Sequence, residues 1–447
     1  LMDGLKSWEH NEEKRRKHII EKMLYMVEIS KKSITILNKI FCGDKYKLNI
    51  FPKSFFDYTE TDFDIIMGNP PYQFSHGSGN PIYDIFCEKS LKILKKNGYF
   101  IFIIPIGWKK LYQGDGDYKK RHTTGIILND LQKYDILHIN LNKKIPHFPN
   151  VDFFLIKNNN SYIKTNIYNN FLDINEKSKI DIKDRVFLPN LINDNSINII
   201  DKLFKIGKVK LNFERDRTSM KFNKKQNQTY KYKYYRFLKN GNKEYHYGEK
   251  TNKSFNKNKI IISFKFSPKK INAWYSPSEE NIGSHDINAY TEIKKNESYL
   301  VNFLNSKLIE FLIHITQYSQ PGKEQNEYNI LNLIAYPDKP LKTDEDIYKY
   351  YGITKSEQKL IEDVTSDKKS PEKEVSVHES HKLRKPKTFP PVTPPKEPEE
   401  PESPKKPKKS PPVTPPKEPV GDIDKEPKPE KPKTIKKGSC SPAHPPG

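Results

Sequence analysis

Short apolar runs alternate with helical stripes along the first third of the chain. Asn11 to Met23 has helical spacing with a basic face, and Leu24 to Ile29 is apolar enough for a strand. Lys31 to Phe41 returns to helical spacing, and Leu48 to Phe51 makes a short strand. Phe63 to Met67 is a mostly apolar run between polar and turn residues, the signature of a buried parallel strand. Ile82 to Lys96 predicts an amphipathic helix with Ile82, Ile85, Phe86, Leu91 and Leu94 on its apolar face, stopped at Asn97-Gly98. Tyr99 to Ile104 is an unbroken apolar strand ending at Pro105, and Ile136 to Leu141 and Val151 to Lys157 supply two later strands. Alternation at this pitch predicts a parallel sheet with crossover helices over residues 1–157.

Beyond Asn158 the pattern loosens and Lys, Asn and Tyr dominate. Ile260 to Phe264 reads as a strand and Tyr299 to Ile315 as one helix, so residues 158–340 are expected to form an α+β domain. Residues 341–366 are expected as a linker. From about Asp367 apolar residues nearly vanish, and most of the chain's 34 prolines fall between Pro371 and Gly447. Pro390 to Pro398 recurs as Pro411 to Pro419, which marks residues 367–447 as a low-complexity tail without a core. Such a tail is either a solvated spacer or a ligand: Pro-rich for aromatic grooves, or basic through Lys405-Lys406-Pro407-Lys408-Lys409.

Charge narrows the partners. The formal net charge is +23 over 447 residues, an excess that suits a polyanion such as nucleic acid. Abundant Lys, Asn and Ile alone would give the same excess. Cys42, Cys87 and Cys440 lack metal-ligand spacing, so no zinc site or disulfide framework is indicated. No apolar run has the length of a membrane span and no secretory signal is visible, so an intracellular protein is expected.

The chemistry concentrates after the strand at residues 63–67, where the chain turns at Gly68-Asn69-Pro70-Pro71-Tyr72. Two prolines fix their own φ and donate no hydrogen bonds, so the loop is stiff and stands where α/β sheets place ligands. The Asn69 side-chain oxygen and the Pro70 carbonyl can each accept one N–H of an exocyclic amine. Tyr72 can stack on the heterocycle that carries it. These residues resemble the Asn-Pro-Pro-Tyr signature of amino-group DNA methyltransferases that act on adenine N6. The resemblance covers about residues 1–340, with cofactor motifs first, catalytic loop next and recognition domain last.

The resemblance implies a Rossmann-like α/β sheet that uses S-adenosylmethionine and double-stranded DNA, in the setting of a restriction–modification system. It implies that Glu28 binds the cofactor ribose and that the cofactor adenine lies near Ser54 and Phe55. The family has an acid near position 54, where this chain has Ser54, with Asp57 three residues on. Ile145 to Val151 resembles the block whose aromatic ring packs on a base taken out of the duplex, which makes Phe148 the candidate ring. A core Phe at a strand entry is the equal alternative. The Leu304-Asn305-Ser306-Lys307-Leu308 helix resembles one in the recognition domain of single-chain restriction–modification enzymes. The Tyr230 to Arg236 run suits either DNA contact or an edge strand with a solvated lysine face.

One departure matters for the fold. The family's first strand ends in a glycine-rich turn, and no Gly-x-Gly turn precedes Glu28. The Leu1 to Lys6 stretch resembles the family's region just after that turn. The expectation is therefore a sheet incomplete at its amino-terminal end, with strand edges left unpaired or completed by another polypeptide. Two functional alternatives remain beside the methyltransferase: an inactive DNA-binding remnant, and a scaffold acting through the Pro-rich tail.

Overall fold

In the computed structural model the described residues are 1–72, 82–111, 126–143, 151–172, 174–214, 218–237, 243–263, 271–282, 289–318 and 328–366. The Pro-rich tail, residues 367–447, lies outside them.

Local chemistry starts each amino-terminal element. Asn11 caps α1 (Glu12–His18) by accepting the Lys14 amide, with Glu12 and Glu13 in the first turn and basic residues in the last. A π-helical turn, Ile19–Met23, leads into β1 (Tyr25–Val27). Ser30 caps α2 (Lys31–Ile40), and β2 (Asn49–Phe51) follows. β1 and β2 pair in parallel as a two-stranded sheet of their own.

The second sheet begins with β3 (Phe63–Gly68), followed by α3 (Tyr83–Ile93) and β4 (Leu94–Pro105). The helix expected to reach Lys96 stops at Ile93, because the Asn97 turn has φ of 65° and Leu94 pairs with Phe63. Gly98 suits that turn, since a Cβ there would lie 2.8 Å from the Lys95 carbonyl oxygen. After α4 (Ile126–Leu131) come β5 (Asp135–Lys143), β6 (Val151–Lys157), β7 (Thr165–Tyr168) and β8 (Lys177–Ile180). The spatial order is β3-β4-β6-β5-β7-β8. β3 runs parallel to β4, β6 is antiparallel to both β4 and β5, β7 is parallel to β5, and β8 closes antiparallel to β7. The sheet is mixed, and it runs past the boundary expected at residue 157.

β4 is the spine of this layer: Phe100, Phe102 and Ile104 are buried with Leu91 of α3, Leu131 of α4 and Phe154 of β6. The six-stranded sheet meets the carboxyl-terminal part through α5 (Asp194–Lys205), whose start is a capping box between Asn193 and Ser196.

Two small antiparallel sheets come next. β9 (Phe222–Asn223), β10 (Tyr232–Phe237) and β11 (Lys243–Gly248) are ordered β10-β11-β9. β12 (Lys259–Ser263), β13 (Asn272–Ser276) and β14 (Ala289–Glu292) are ordered β13-β12-β14. The helix expected over 299–315 is two helices, α6 (Leu300–Leu304) and α7 (Lys307–Ile315). The break has a clear cause. Ser306 caps α7, and the Asn305 side chain bonds both backbone groups of Ala273, accepting its N–H at 3.0 Å and donating to its carbonyl at 2.8 Å.

After α8 (Tyr328–Leu331), residues 341–366 are no linker. They form α9 (Asp344–Tyr351) and α10 (Lys355–Thr365), each started by a Thr capping box. Ile347, Tyr351, Ile361 and Val364 join the same apolar core as Leu203 of α5 and Leu312 of α7. The Glu357 carboxylate, 2% exposed, takes the Lys202 ammonium at 2.6 Å and so ties α10 to α5.

Among the described residues no helix is long and apolar enough to cross a membrane, and no cluster of side chains fits a metal ion.

Candidate active site

Asn69, Pro70, Pro71 and Tyr72 leave the carboxyl end of β3. Gly68, the last residue of that strand, pairs with Phe102 of β4. A Cβ at Gly68 would sit 3.0 Å from the Phe102 ring, so a glycine lets the loop leave close to the sheet. Pro70 is buried, Asn69 and Pro71 are exposed, and Tyr72 is half-buried. A side-chain hydrogen bond joins Asn69 to Tyr72. Burial raises the Tyr72 phenol above its usual range and the Asn69 bond opposes it, the direction expected when the amide donates to the phenol oxygen. The Ile82 amide donates to the Tyr72 carbonyl at 3.4 Å, which returns the chain to the start of α3.

Beside this loop, at the same edge of the sheet, lies a buried polar knot that the sequence pattern did not predict. A 3₁₀ turn, Ile106–Lys109, follows β4 and buries Trp108 and Lys109 completely. Asp152 opens β6 opposite Ile104. It accepts the Trp108 indole N–H at 2.7 Å and forms an ion pair with the Lys109 ammonium at 2.8 Å, with both charged groups fully buried. Burial pushes the Lys109 ammonium down, and Asp152 holds it up. The Lys109 carbonyl also accepts the Leu188 amide at 3.0 Å. The available signal was an acid standing among Val151, Phe153 and Phe154 in an otherwise apolar strand. Phe148, the candidate base-stacking ring, lies outside the described residues.

The residues expected to hold a cofactor sit on the two-stranded sheet, again at the carboxyl ends of its strands. Glu28 follows β1; its amide donates to Phe51 and its carboxylate accepts the Ser30 amide at 2.7 Å. Ser54 follows β2 and caps a short 3₁₀ turn, Phe55–Asp57. The Phe55 ring stacks on Phe86 of α3 at 5.3 Å, with the Lys89 ammonium 5.5 Å from its centre. Lys89 also donates to the Phe56 carbonyl at 2.7 Å. Three consecutive strand ends thus carry the expected site residues, the place where open α/β sheets bind nucleotides. The Glu28 carboxylate fits a ribose diol. Ser54 and Phe55 are engaged by the chain's own contacts. Among the described residues no glycine turn stands beside β1 to cradle the rest of a nucleoside cofactor.

Residues 5–143 match the model of the Eco57I restriction-modification methylase family. No curated protein matches the sequence. Among solved structures the chain is similar to a nuclease-deletion mutant of the Type ISP restriction-modification enzyme LlaGI in complex with a DNA substrate mimic. The identity is 13%, the coverage 80% of this chain and 49% of that one, and the TM-score 0.41. A second is the ATP-dependent Type ISP restriction-modification enzyme LlaBIII bound to DNA, at 11% identity, 70% and 34% coverage and a TM-score of 0.40. A third is the M protein of the type I restriction enzyme EcoKI, at 11% identity, 46% and 48% coverage and a TM-score of 0.29. The chain therefore spans less than half the length of each of these three.

Proposed function

We propose that this chain, whose residues 5–143 match a restriction-modification methylase model, transfers a methyl group to the N6 amino group of adenine in double-stranded DNA. S-adenosylmethionine is the proposed donor and a restriction–modification system the proposed setting. The observation that carries this reading is the position of Asn69-Pro70-Pro71-Tyr72 at the carboxyl end of β3, inside the matched segment.

The cofactor, when bound, would supply an electrophilic methyl group on a sulfonium. Everything else falls to the chain. The Asn69 amide oxygen and the Pro70 carbonyl each accept one amino hydrogen and hold the nitrogen lone pair away from the loop. Pro71 keeps the loop stiff, and Tyr72 stacks on the base with Phe148 as the proposed opposite face. Glu28 would take the ribose hydroxyls, with Ser54 and Phe55 beside the cofactor adenine. No covalent enzyme intermediate is needed, and the rate gain is positioning in a dry site.

The part expected over residues 158–340, beyond the strands β7 and β8 that complete the six-stranded sheet, is the proposed DNA-reading part. A second reading, an inactive DNA-binding remnant, is favoured by one observation: Ser54 and Phe55 are occupied by internal contacts. The two separate in one assay, incorporation of labelled methyl from S-adenosylmethionine into unmethylated duplex DNA. The methyltransferase reading predicts label that Asn69→Ala lowers by about a hundredfold or more without loss of DNA binding. The remnant reading predicts DNA binding with no label.

A further inference from the structure

We propose that the buried pair of Asp152 and Lys109 positions the Asn69–Tyr72 loop, by fixing Trp108 against the segment through which the loop returns to the fold. The inference deepens the methyl-transfer reading: its kinetic consequence rests on that reading, and its structural consequence does not.

The loop meets the surroundings of this pair on its way out and on its way back. On the way out, Gly68 pairs with Phe102 of β4. Two residues on, Pro70 is buried, and Ile104 of β4 pairs with Asp152. On the way back, the Ile82 amide donates to the Tyr72 carbonyl at 3.4 Å, and Tyr83 starts α3. Tyr83 is 4% exposed and belongs to the same apolar cluster as Phe102, Trp108 and Phe154. The Trp108 ring meets Phe154 edge-on at 5.6 Å. Burial first, and then the neighbouring Asp84, Cys87 and Asp152, push the Tyr83 phenol above its usual range, so the phenol stands in the field of Asp152.

Stability alone gives no reason for two charges here. Apolar residues of similar volume fill such a place as well or better, because the attraction within a buried pair has to offset the desolvation of both groups. What the pair supplies is direction. One oxygen, Asp152 Oδ2, accepts the Trp108 indole N–H at 2.7 Å and stands 2.8 Å from the Lys109 ammonium. That bond sets the rotation of the Trp108 ring, which apolar packing would leave to volume alone. With the ring fixed, Tyr83 and Ile82 have one seat, and the Tyr72 carbonyl has one place to meet the Ile82 amide. Asn69 and Pro70 are then held to the tolerance that methyl transfer needs, where about 1 Å of misplacement costs about a hundredfold in rate.

The test compares the wild-type chain with two variants. Lys109→Met/Asp152→Leu removes both charges, and Lys109→Met/Asp152→Asn gives the Trp108 indole an acceptor again. In the first, hydrogen exchange at the amides of Asn69, Tyr72 and Ile82 is expected to quicken by about tenfold, with β4 and β6 exchanging as in the wild type. Its kcat for methyl transfer is expected to fall by about a hundredfold with KM for DNA unchanged. The second variant should recover most of the protection and most of kcat, a rescue that a pair which merely fills space would not show. Unchanged exchange at the three amides overturns the proposal, as does quickening that spreads through β4 and β6. It is equally overturned by a second variant no better than the first, or by an unchanged kcat beside an active wild type. A wild-type chain that transfers no methyl group overturns the methyl-transfer reading instead, and the exchange measurement then decides the positioning on its own.

Discussion

Asp152 ties the end of β4 to the start of β6. It neutralises Lys109 and anchors Trp108, all without solvent, so its oxygens carry the junction between the end of β4 and the start of β6. Asp152→Asn would strand a buried ammonium, and a loss of about 3–5 kcal/mol is expected from urea unfolding. The paired change Lys109→Met/Asp152→Leu should lose much less, because it removes both charges. At Tyr72 the expectation is different in kind. Tyr72→Phe keeps the stacking face, whereas Tyr72→Ala weakens binding of an extrahelical base by about 1–3 kcal/mol, read by 2-aminopurine fluorescence in a duplex.

Lys259 tests burial by pH. It is fully buried on β12, its ammonium donates to the Lys257 carbonyl at 2.9 Å, and burial lowers its pKa from the usual 10.5 to about 8. Between those two values the unfolded chain holds a proton that the folded chain has released. Stability therefore rises with pH across that window, and below it the full cost of the buried charge remains. Lys259→Met should flatten the rise and raise Tm at neutral pH, measured as thermal unfolding across a pH series.

At the scale of elements, close backbone approach sets the strictest demands. A Cβ at Gly207 would fall 1.9 Å from the Ala335 carbonyl oxygen, next to the bridge between Val209 and Tyr336. Gly207→Ala should therefore separate the end of α5 from that segment and lower Tm sharply, whereas Gly4→Ala should leave it unchanged. The elements also show what a single sequence can reveal. The strands at 25–27, 49–51, 63–68 and 151–157 were legible because apolar runs between turn residues have few other uses. The loop after β3 was legible because two prolines and a glycine constrain it on their own. The split between α6 and α7 was not, because Asn305 breaks the helix for a partner, Ala273, that only the fold supplies. Nor were α9 and α10, whose apolar positions are sparse and become a core only against α5 and α7. The buried knot at Asp152 escaped for the same reason: a lone acid in a strand gains meaning when Lys109 and Trp108 arrive beside it.

For the whole molecule, the proposed substrate, a polyanion that carries an amine, suits both the +23 charge and the Asn-Pro-Pro-Tyr loop. Binding to duplex DNA should weaken steeply with salt, the log–log slope counting the phosphates neutralised. The most direct test of the methyltransferase reading is the chemical identity of the product. Unmethylated duplex DNA is incubated with the chain and S-adenosylmethionine, then digested to nucleosides and weighed by mass spectrometry. The predicted product is N6-methyldeoxyadenosine, absent with Asn69→Ala. DNA that is bound yet carries no methylated adenine would contradict that reading.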